Sequence, residues 1–259
     1  MHKKVKPKPL SGGHPYDESF FHSIETGSLK SAKEIVPLVI NFIHPLSVID
    51  VGCGKGAWLS VFREYGIEDI LGVDGDYVDQ SSLLIPAQFF QTHDLAHPLK
   101  TERKFGLVVS LEVAEHISSK YAKTFVKSLT CLGPVVMFSA AVPYQGGTDH
   151  VNEQWQDYWR KLFNENGFEA VDFVRKRVWN NPKVEPWFAQ NIIVYIQEDY
   201  LKKNIALKEE WEKTDFPLTV IHPKHYENRV LLNNLGIKQT LKALPKVIFK
   251  AILCKIKGI

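Results

Sequence analysis

Glu112, Glu115 and His116 stand in the run Ser110-Leu111-Glu112-Val113-Ala114-Glu115-His116, at spacings i, i+3 and i+4. If a helix begins there, all three side chains project from one face. A second imidazole follows in Thr148-Asp149-His150-Val151-Asn152-Glu153-Gln154-Trp155. Two carboxylates and two imidazoles form a ligand set suited to magnesium, manganese or zinc. Such an ion would act as a Lewis acid on a bound hydroxyl. Metal-free chemistry fits the same residues, with His116 or His150 as general base, because a neutral imidazole is poised for that task near pH 7. A third reading is structural: Glu115 and His116 cap and brace a helix.

A second group is built on glycine. The loop Asp50-Val51-Gly52-Cys53-Gly54-Lys55-Gly56 follows an apolar run and precedes an amphipathic one. Glycines let backbone approach a ligand where a Cβ would collide. A strand-to-helix turn also aims N–H groups at a carboxylate or phosphate. The loop satisfies the dinucleotide pattern G-x-G-x-x-A through Gly52, Gly54 and Ala57 as well. Asp74 closes the next apolar run, where its carboxylate can accept both hydroxyls of a ribose. Asp94, in Thr92-His93-Asp94-Leu95, can accept from an adenine amino group. A dehydrogenase would use the glycines and Asp74, but would leave Asp94 and the Glu/His cluster without a role.

These residues need strands behind them. Apolar runs at 47–51, 70–73, 88–91, 105–111, 134–138, 170–174 and 191–196 read as strands. Helical periodicity appears at 28–42, 57–65, 113–131 and 152–166. Strands separated by helices of this length imply βαβ units and a mostly parallel sheet covered on both faces. In such a sheet the loops after the fourth and fifth strands are neighbours, so His150 can meet the other three ligands. Tyr144, Trp155, Tyr158 and Trp159 then line the acceptor side, or the last three form the apolar stripe of a core helix.

The set Asp50-Val51-Gly52-Cys53-Gly54, Gly72-Val73-Asp74, the Asp94 loop and Ser110–His116 resembles class I S-adenosylmethionine-dependent methyltransferases, over residues from about 16 to 197. The resemblance implies an α/β, doubly wound, seven-stranded Rossmann-like sheet, mostly parallel, with the last strand antiparallel. It implies that Gly52 and Gly54 line the methionine moiety, Asp74 holds the ribose and Asp94 faces the adenine. Asp50, Cys53, Gly56, Gly75, Leu95 and Leu111 complete the expected cofactor contacts. The Glu-x-x-Glu-His spacing with a later His is similar to metal-dependent small-RNA 2′-O-methyltransferases, and its first part to ubiquinone-pathway O-methyltransferases. Stand-alone bacterial enzymes of this kind are associated with surface-polysaccharide and secondary-metabolite pathways. The expected reaction is O-methylation of a small hydroxylated or saccharide acceptor, with His116, His150 and Glu115 in the catalytic roles and Glu112, Glu115, His116 and His150 around a divalent metal. RNA 2′-O-methylation and a catalytically silent cofactor-binding module are the alternatives.

Charge weighs on the choice. Residues 1–199 carry 20 basic and 24 acidic side chains, a balance of −4, while residues 200–259 carry 12 and 5, a balance of +7. An acidic body is a poor footprint for gripping a phosphate backbone, which argues against DNA and makes RNA an unfavoured partner. Cys53, Cys131 and Cys254 are scattered and odd in number, as expected in a reducing compartment. The start of the chain has no apolar leader and no run is long enough to span a membrane, so the expected location is the cytoplasm. Three regions follow: an arm at 1–27, whose Tyr16–Phe21 stretch would by the resemblance cover the cofactor or else staple onto the first helix, the catalytic domain at 28–197, and a basic helical extension at 198–259. Within the last, residues 236–259 place lysines on one helical stripe and Leu and Ile largely opposite. That pattern fits a helix docked on the domain or one resting on the inner membrane face.

Overall fold

The sheet of the protein has the strand order β3-β2-β1-β4-β5-β7-β6, seen in a computed structural model that describes residues 18–214 and 217–227, with side chains from residue 26 onward. The strands are β1 (Ser47–Val51), β2 (Asp69–Asp74), β3 (Phe90–Thr92), β4 (Leu107–Leu111), β5 (Val135–Ser139), β6 (Phe168–Val171) and β7 (Ile193–Gln197). The first five pair in parallel, and β7 runs antiparallel to both β5 and β6. This is the doubly wound, Rossmann-like arrangement expected. Strand order reverses between β1 and β4, and ligands of such sheets bind beyond the carboxyl ends of the strands at that switch.

The helices are α1 (Glu18–Ile43), α2 (Ala57–Glu64), α3 (Ala122–Leu132), α4 (Gln156–Asn164), α5 (Phe173–Val178), α6 (Pro186–Asn191), α7 (Glu198–Lys203) and α8 (Ile205–Glu212). They cover both faces because the strands are apolar on both. Val48, Leu107, Val109, Val135 and Val194 pack toward α1, α2, α5 and α6. The alternate positions Ile49, Val108, Val136 and Ile193 pack toward α3 and α4. Side chains two apart share a face of a strand, so one five-residue run serves both layers.

Four boundaries differ from the sequence reading. The first helix begins at Glu18, not Ser28, and carries Pro37 inside it; Gly27 lies within it, where an added Cβ would come 2.7 Å from Glu185 Oε1. The helix expected from Val113 to Cys131 is broken. Ala114–His116 and Ser119–Tyr121 are single 3-10 turns and α3 starts only at Ala122, so the three acid–base residues do not share a helix face. The helix expected at 152–166 starts at Gln156, because residues 151–154 are pinned elsewhere. Fourth, α5 and α6 interrupt the stretch between β6 and β7, where no helix was read.

Beyond β7 the chain continues as α7 and α8 and then crosses the outside of α4, α5 and α6. Arg175 Nη1 donates to the carbonyl of Leu218 at 2.8 Å, Thr219 Oγ1 to Asp157 at 2.9 Å and the His222 amide to Gln190 Oε1 at 2.8 Å. The Tyr16–Phe21 cover and the lysine stripe of 236–259 lie outside the residues whose side chains are described. No helix among the described residues is long and apolar enough to cross a membrane.

Candidate active site

The glycine loop is lashed to the end of β2. Gly52 N–H donates to the carbonyl of Val73 at 2.7 Å, and Gly54 N–H to Asp74 Oδ2 at 2.6 Å. Gly52 has φ +87°, and a Cβ there would come 2.3 Å from Val113, so no other residue fits. Gly54 (φ +52°) has open space on the side where a Cβ would stand and lines a cleft of about 300 Å³ with Asp50, Cys53, Leu111, Glu112 and Trp187. Gly56 does not face that cleft; it starts α2 in the left-handed region and lies against Ile85. Cys53 is buried, and that burial, with Asp50 and Asp74 nearby, pushes its thiol far up.

A second cleft, of about 800 Å³, lies over the ends of β2 and β3 and is lined by Gly75, Tyr77, Asp94, Leu95, His116 and Tyr121, among others. Asp94 is exposed and accepts from Ala96 N–H and His97 Nδ1, which hold its carboxyl below the usual range. Asp74 stands between the clefts: it is bound to Gly54, which lines the smaller, and to Gly75, which lines the larger. Its neighbour Asp50 is 2% exposed, and burial, then the Asp74 charge, push its pKa well above the ordinary carboxylate value.

The ten expected cofactor residues thus divide. Asp50, Gly52, Cys53, Gly54 and Leu111 line the smaller cleft and Gly75, Asp94 and Leu95 the larger; Asp74 joins the two and Gly56 supports the turn from behind.

On the other side of the switch, the loops after β4 and β5 are tied together. The carbonyl of Glu115 accepts from Val151 N–H at 2.9 Å and Asn152 N–H at 3.0 Å, and the carbonyl of Ala141 accepts from Gln154 N–H at 3.2 Å. This tie carries His150 to His116, whose rings meet edge to face at 4.9 Å. Ligand atoms of Glu115, His116 and His150 lie within 4.8 Å of one another. Glu115 is fully buried and neither carboxylate oxygen has a hydrogen-bond partner. Desolvation, then the charge of Glu112, raise its pKa well above the ordinary value. Burial, then His150, lower that of His116.

Glu112 does not join the three. It adopts φ +56°, a left-handed conformation rare outside glycine, and its carboxylate accepts from Gln145 Nε2 at 2.8 Å and Asn191 Nδ2 at 3.2 Å. Tyr144 (φ +67°) and Asp149 (φ +55°) share that strained region. Three of the four non-glycine residues with positive φ among the described residues therefore surround this one site, as strain tends to.

Several organising residues escaped the sequence reading. Glu153 accepts from Tyr144 N–H, Gly146 N–H and His150 Nδ1, at 2.8, 2.6 and 2.9 Å. With Nδ1 so held, Nε2 is the His150 nitrogen left for chemistry. Asn191 and Gln145 fix Glu112, and Gln190 ties Asn191 to the His222 segment. The signal for Glu153 was present, a carboxylate three residues after a histidine; nothing local marked Asn191 or Gln190. Of the aromatic residues, Trp159 is buried against Phe138 and belongs to the core, whereas Tyr144 and Trp155 are exposed on the stretch between β5 and α4 that also carries His150.

Comparison with known proteins agrees with this geometry. A search of curated proteins returns no match. The methyltransferase domain of a bacterial Hen1 superposes with a TM-score of 0.50 at 20% identity, covering 66% of this chain and 98% of its own. Magnesium protoporphyrin IX methyltransferase from Synechocystis PCC 6803, with bound S-adenosylmethionine, gives 0.51 at 18% identity, covering 72% and 87%. DesVI of Streptomyces venezuelae gives 0.51 at 15% identity, covering 71% and 100%. A family model described as a methyltransferase domain matches residues 30–181, from α1 through the glycine loop and the Glu115–His150 cluster to just past α5. The chain therefore belongs to the methyltransferase-domain family, and it is an S-adenosylmethionine-dependent class I methyltransferase.

Proposed function

We propose that the protein transfers a methyl group from S-adenosylmethionine to a hydroxyl oxygen of a small hydroxylated or saccharide acceptor. The observation that carries this reading is Glu115: a fully buried carboxylate with both oxygens unpartnered, facing two imidazoles. A buried acceptor without a donor is costly, by about 1–3 kcal/mol, and is kept where a ligand completes it.

The two clefts fit the cofactor. An adenosine fits the larger, between Asp94 and Leu95 on one side and Gly75 on the other. The amino-acid portion fits the smaller, where its ammonium would relieve the burial of Asp50. The methyl carbon then lies between the glycine loop and the β4–β5 loops. In the transfer, the acceptor oxygen bonds to the methyl carbon as the carbon–sulfur bond breaks, and the hydroxyl proton passes to Nε2 of His150 or to His116. Burial keeps His116 neutral and ready to accept it. The protein's own contribution is alignment and exclusion of water, since the sulfonium methyl is already activated.

Glu115, His116 and His150 also fit a divalent metal, since one carboxylate and two imidazoles within 4.8 Å match magnesium, manganese or zinc ligation, and the orphaned Glu115 oxygens await a cation. When bound, the ion supplies Lewis acidity to the acceptor hydroxyl. Tyr144 and Trp155, exposed on the stretch that carries His150, would offer faces on which a sugar ring can stack.

RNA 2′-O-methylation is the second reading, motivated by the Glu-x-x-Glu-His spacing and opposed by the acidic body. A catalytically silent binding module is the third. The deciding experiment incubates the protein with labelled S-adenosylmethionine and, separately, methyl glycosides, polyhydroxylated small molecules and short RNAs, with EDTA or added manganese. O-methylated sugar or small alcohol is expected. Label entering RNA 3′ ends alone would overturn the saccharide reading, and S-adenosylmethionine binding with no transfer to any hydroxyl would favour the silent module.

A further inference from the structure

Tyr77 lies three residues past Asp74, with its ring largely exposed. Its hydroxyl donates to Asp74 Oδ1. The same oxygen accepts from Gly75 N–H at 2.7 Å, and Oδ2 accepts from Gly54 N–H at 2.6 Å. A carboxylate offers about four lone-pair positions, two per oxygen. Three are taken and one is left. The two hydroxyls of a ribose need two. The Gly54 and Gly75 donors are backbone groups fixed by the turn, so the hydroxyl of Tyr77 is the one donor that can leave.

The clefts point the same way. They share no lining residue, and Asp74 with Tyr77 stands where they approach. A cofactor spanning both must pass this point. Gly75 provides the seat: a Cβ there would come 2.2 Å from the Tyr77 ring, so only glycine lets the ring lie back across the chain.

We infer that Tyr77 stands in for a ribose hydroxyl in the free protein and that the nucleoside of the cofactor binds by exchange, displacing the Tyr77 hydroxyl from Asp74 and joining the two clefts. The inference rests on Asp74 as the ribose-binding carboxylate. The displaced hydroxyl then finds water, at small cost for an exposed ring. Tyr77 thereby sets cofactor affinity: every binding event gives up the tyrosine bond before it gains the ribose bonds.

The test is calorimetry of the full chain with S-adenosylhomocysteine, adenosine and methionine, on the wild-type protein, Tyr77→Phe and Asp74→Asn. Tyr77→Phe removes the competing donor, so S-adenosylhomocysteine and adenosine should each bind roughly three- to tenfold more tightly, as expected for one net hydrogen bond from an exposed ring that water otherwise replaces. Methionine, confined to the smaller cleft, should bind unchanged. In carbon-13 tyrosine spectra, the Tyr77 resonance, assigned by its loss in Tyr77→Phe, should move with adenosine and stay with methionine. Unchanged or weaker adenosine binding in Tyr77→Phe, or a Tyr77 resonance indifferent to adenosine, overturns the exchange while leaving the ribose assignment intact. Wild-type affinity in Asp74→Asn overturns the ribose assignment, and the exchange with it.

Discussion

Two carboxylates a few strands apart behave in opposite ways. Asp74, at the end of β2, accepts from Gly54, Gly75 and Tyr77 and has nearly every lone pair engaged before any ligand arrives. Glu115, past the end of β4, is as deeply buried, and no donor stands in hydrogen-bonding position on either oxygen. On the proposed reading, the nucleoside side is therefore nearly complete in the free protein and must be partly undone to bind, whereas the acceptor side is incomplete and must be filled. Backbone amides near a tight glycine turn can satisfy a carboxylate locally. A carboxylate on a 3-10 turn, wedged between two loops, depends on whatever else enters.

The largest test of this contrast is His150→Ala. Removing the candidate base should lower turnover by about 10²- to 10⁴-fold, with S-adenosylhomocysteine affinity, measured by calorimetry, essentially unchanged. A comparable loss of cofactor affinity would mean the two halves are one. In the wild type, the lowered pKa of His116 extends the active, neutral form below the ordinary imidazole value of 6.5, so a pH–rate profile limited by His116 should hold its plateau below that point.

Glu153→Gln should act less strongly, by about 10- to 100-fold, because it loosens the Nδ1 anchor of His150 without removing the ring. Its signature is a fall in kcat with little change in the KM for cofactor, and partial recovery in Glu153→Asp.

On the cofactor side, Gly52→Ala should destabilise the fold by about 2–3 kcal/mol through a clash with Val113 and a positive φ, read as a lowered melting temperature.

The smallest effect runs the other way. Because Asp50 is raised in the fold, its contribution to stability is full below the ordinary carboxylate value and is lost as pH rises through the raised one. Asp50→Asn cannot ionise, so it should stabilise the ligand-free protein at pH 7 by about 1–3 kcal/mol, and the gain should vanish in acid. Cofactor binding should weaken in the same variant. A melting temperature that falls at pH 7 would show that the Asp50 charge supports the empty fold.

The sheet and the positions of the glycine loop and its two acids were legible because their signals are local. An apolar run such as Val48-Ile49-Asp50-Val51 followed by glycines names a strand and its turn without reference to distant chain, and Asp74 and Asp94 gain their positions from strand ends alone. Periodicity failed after β4, since 113–131 has helical spacing but Glu112 is held at positive φ and the chain takes two 3-10 turns before α3. That detour is enforced by β5 and its loop: Ser139 holds the Glu112 amide and Val151 and Asn152 hold the Glu115 carbonyl.

Sequence by itself determined the α/β architecture, the glycine cradle, the acids at the strand ends and the candidate presence of Glu115, His116 and His150, because residue type and short spacing set backbone conformation and donor chemistry. Only the tertiary structure decided that Glu112 turns away to Gln145 and Asn191, that Glu115 is left without a donor, that Glu153 orients His150 and that Tyr77 covers Asp74. The hydrogen bonds of Glu112, and those that tie the Glu115 turn to the loop after β5, join residues tens of positions apart. Such bonds form only once both partners have been carried to one place by the packing of the sheet, and no local pattern of residues records where that will be.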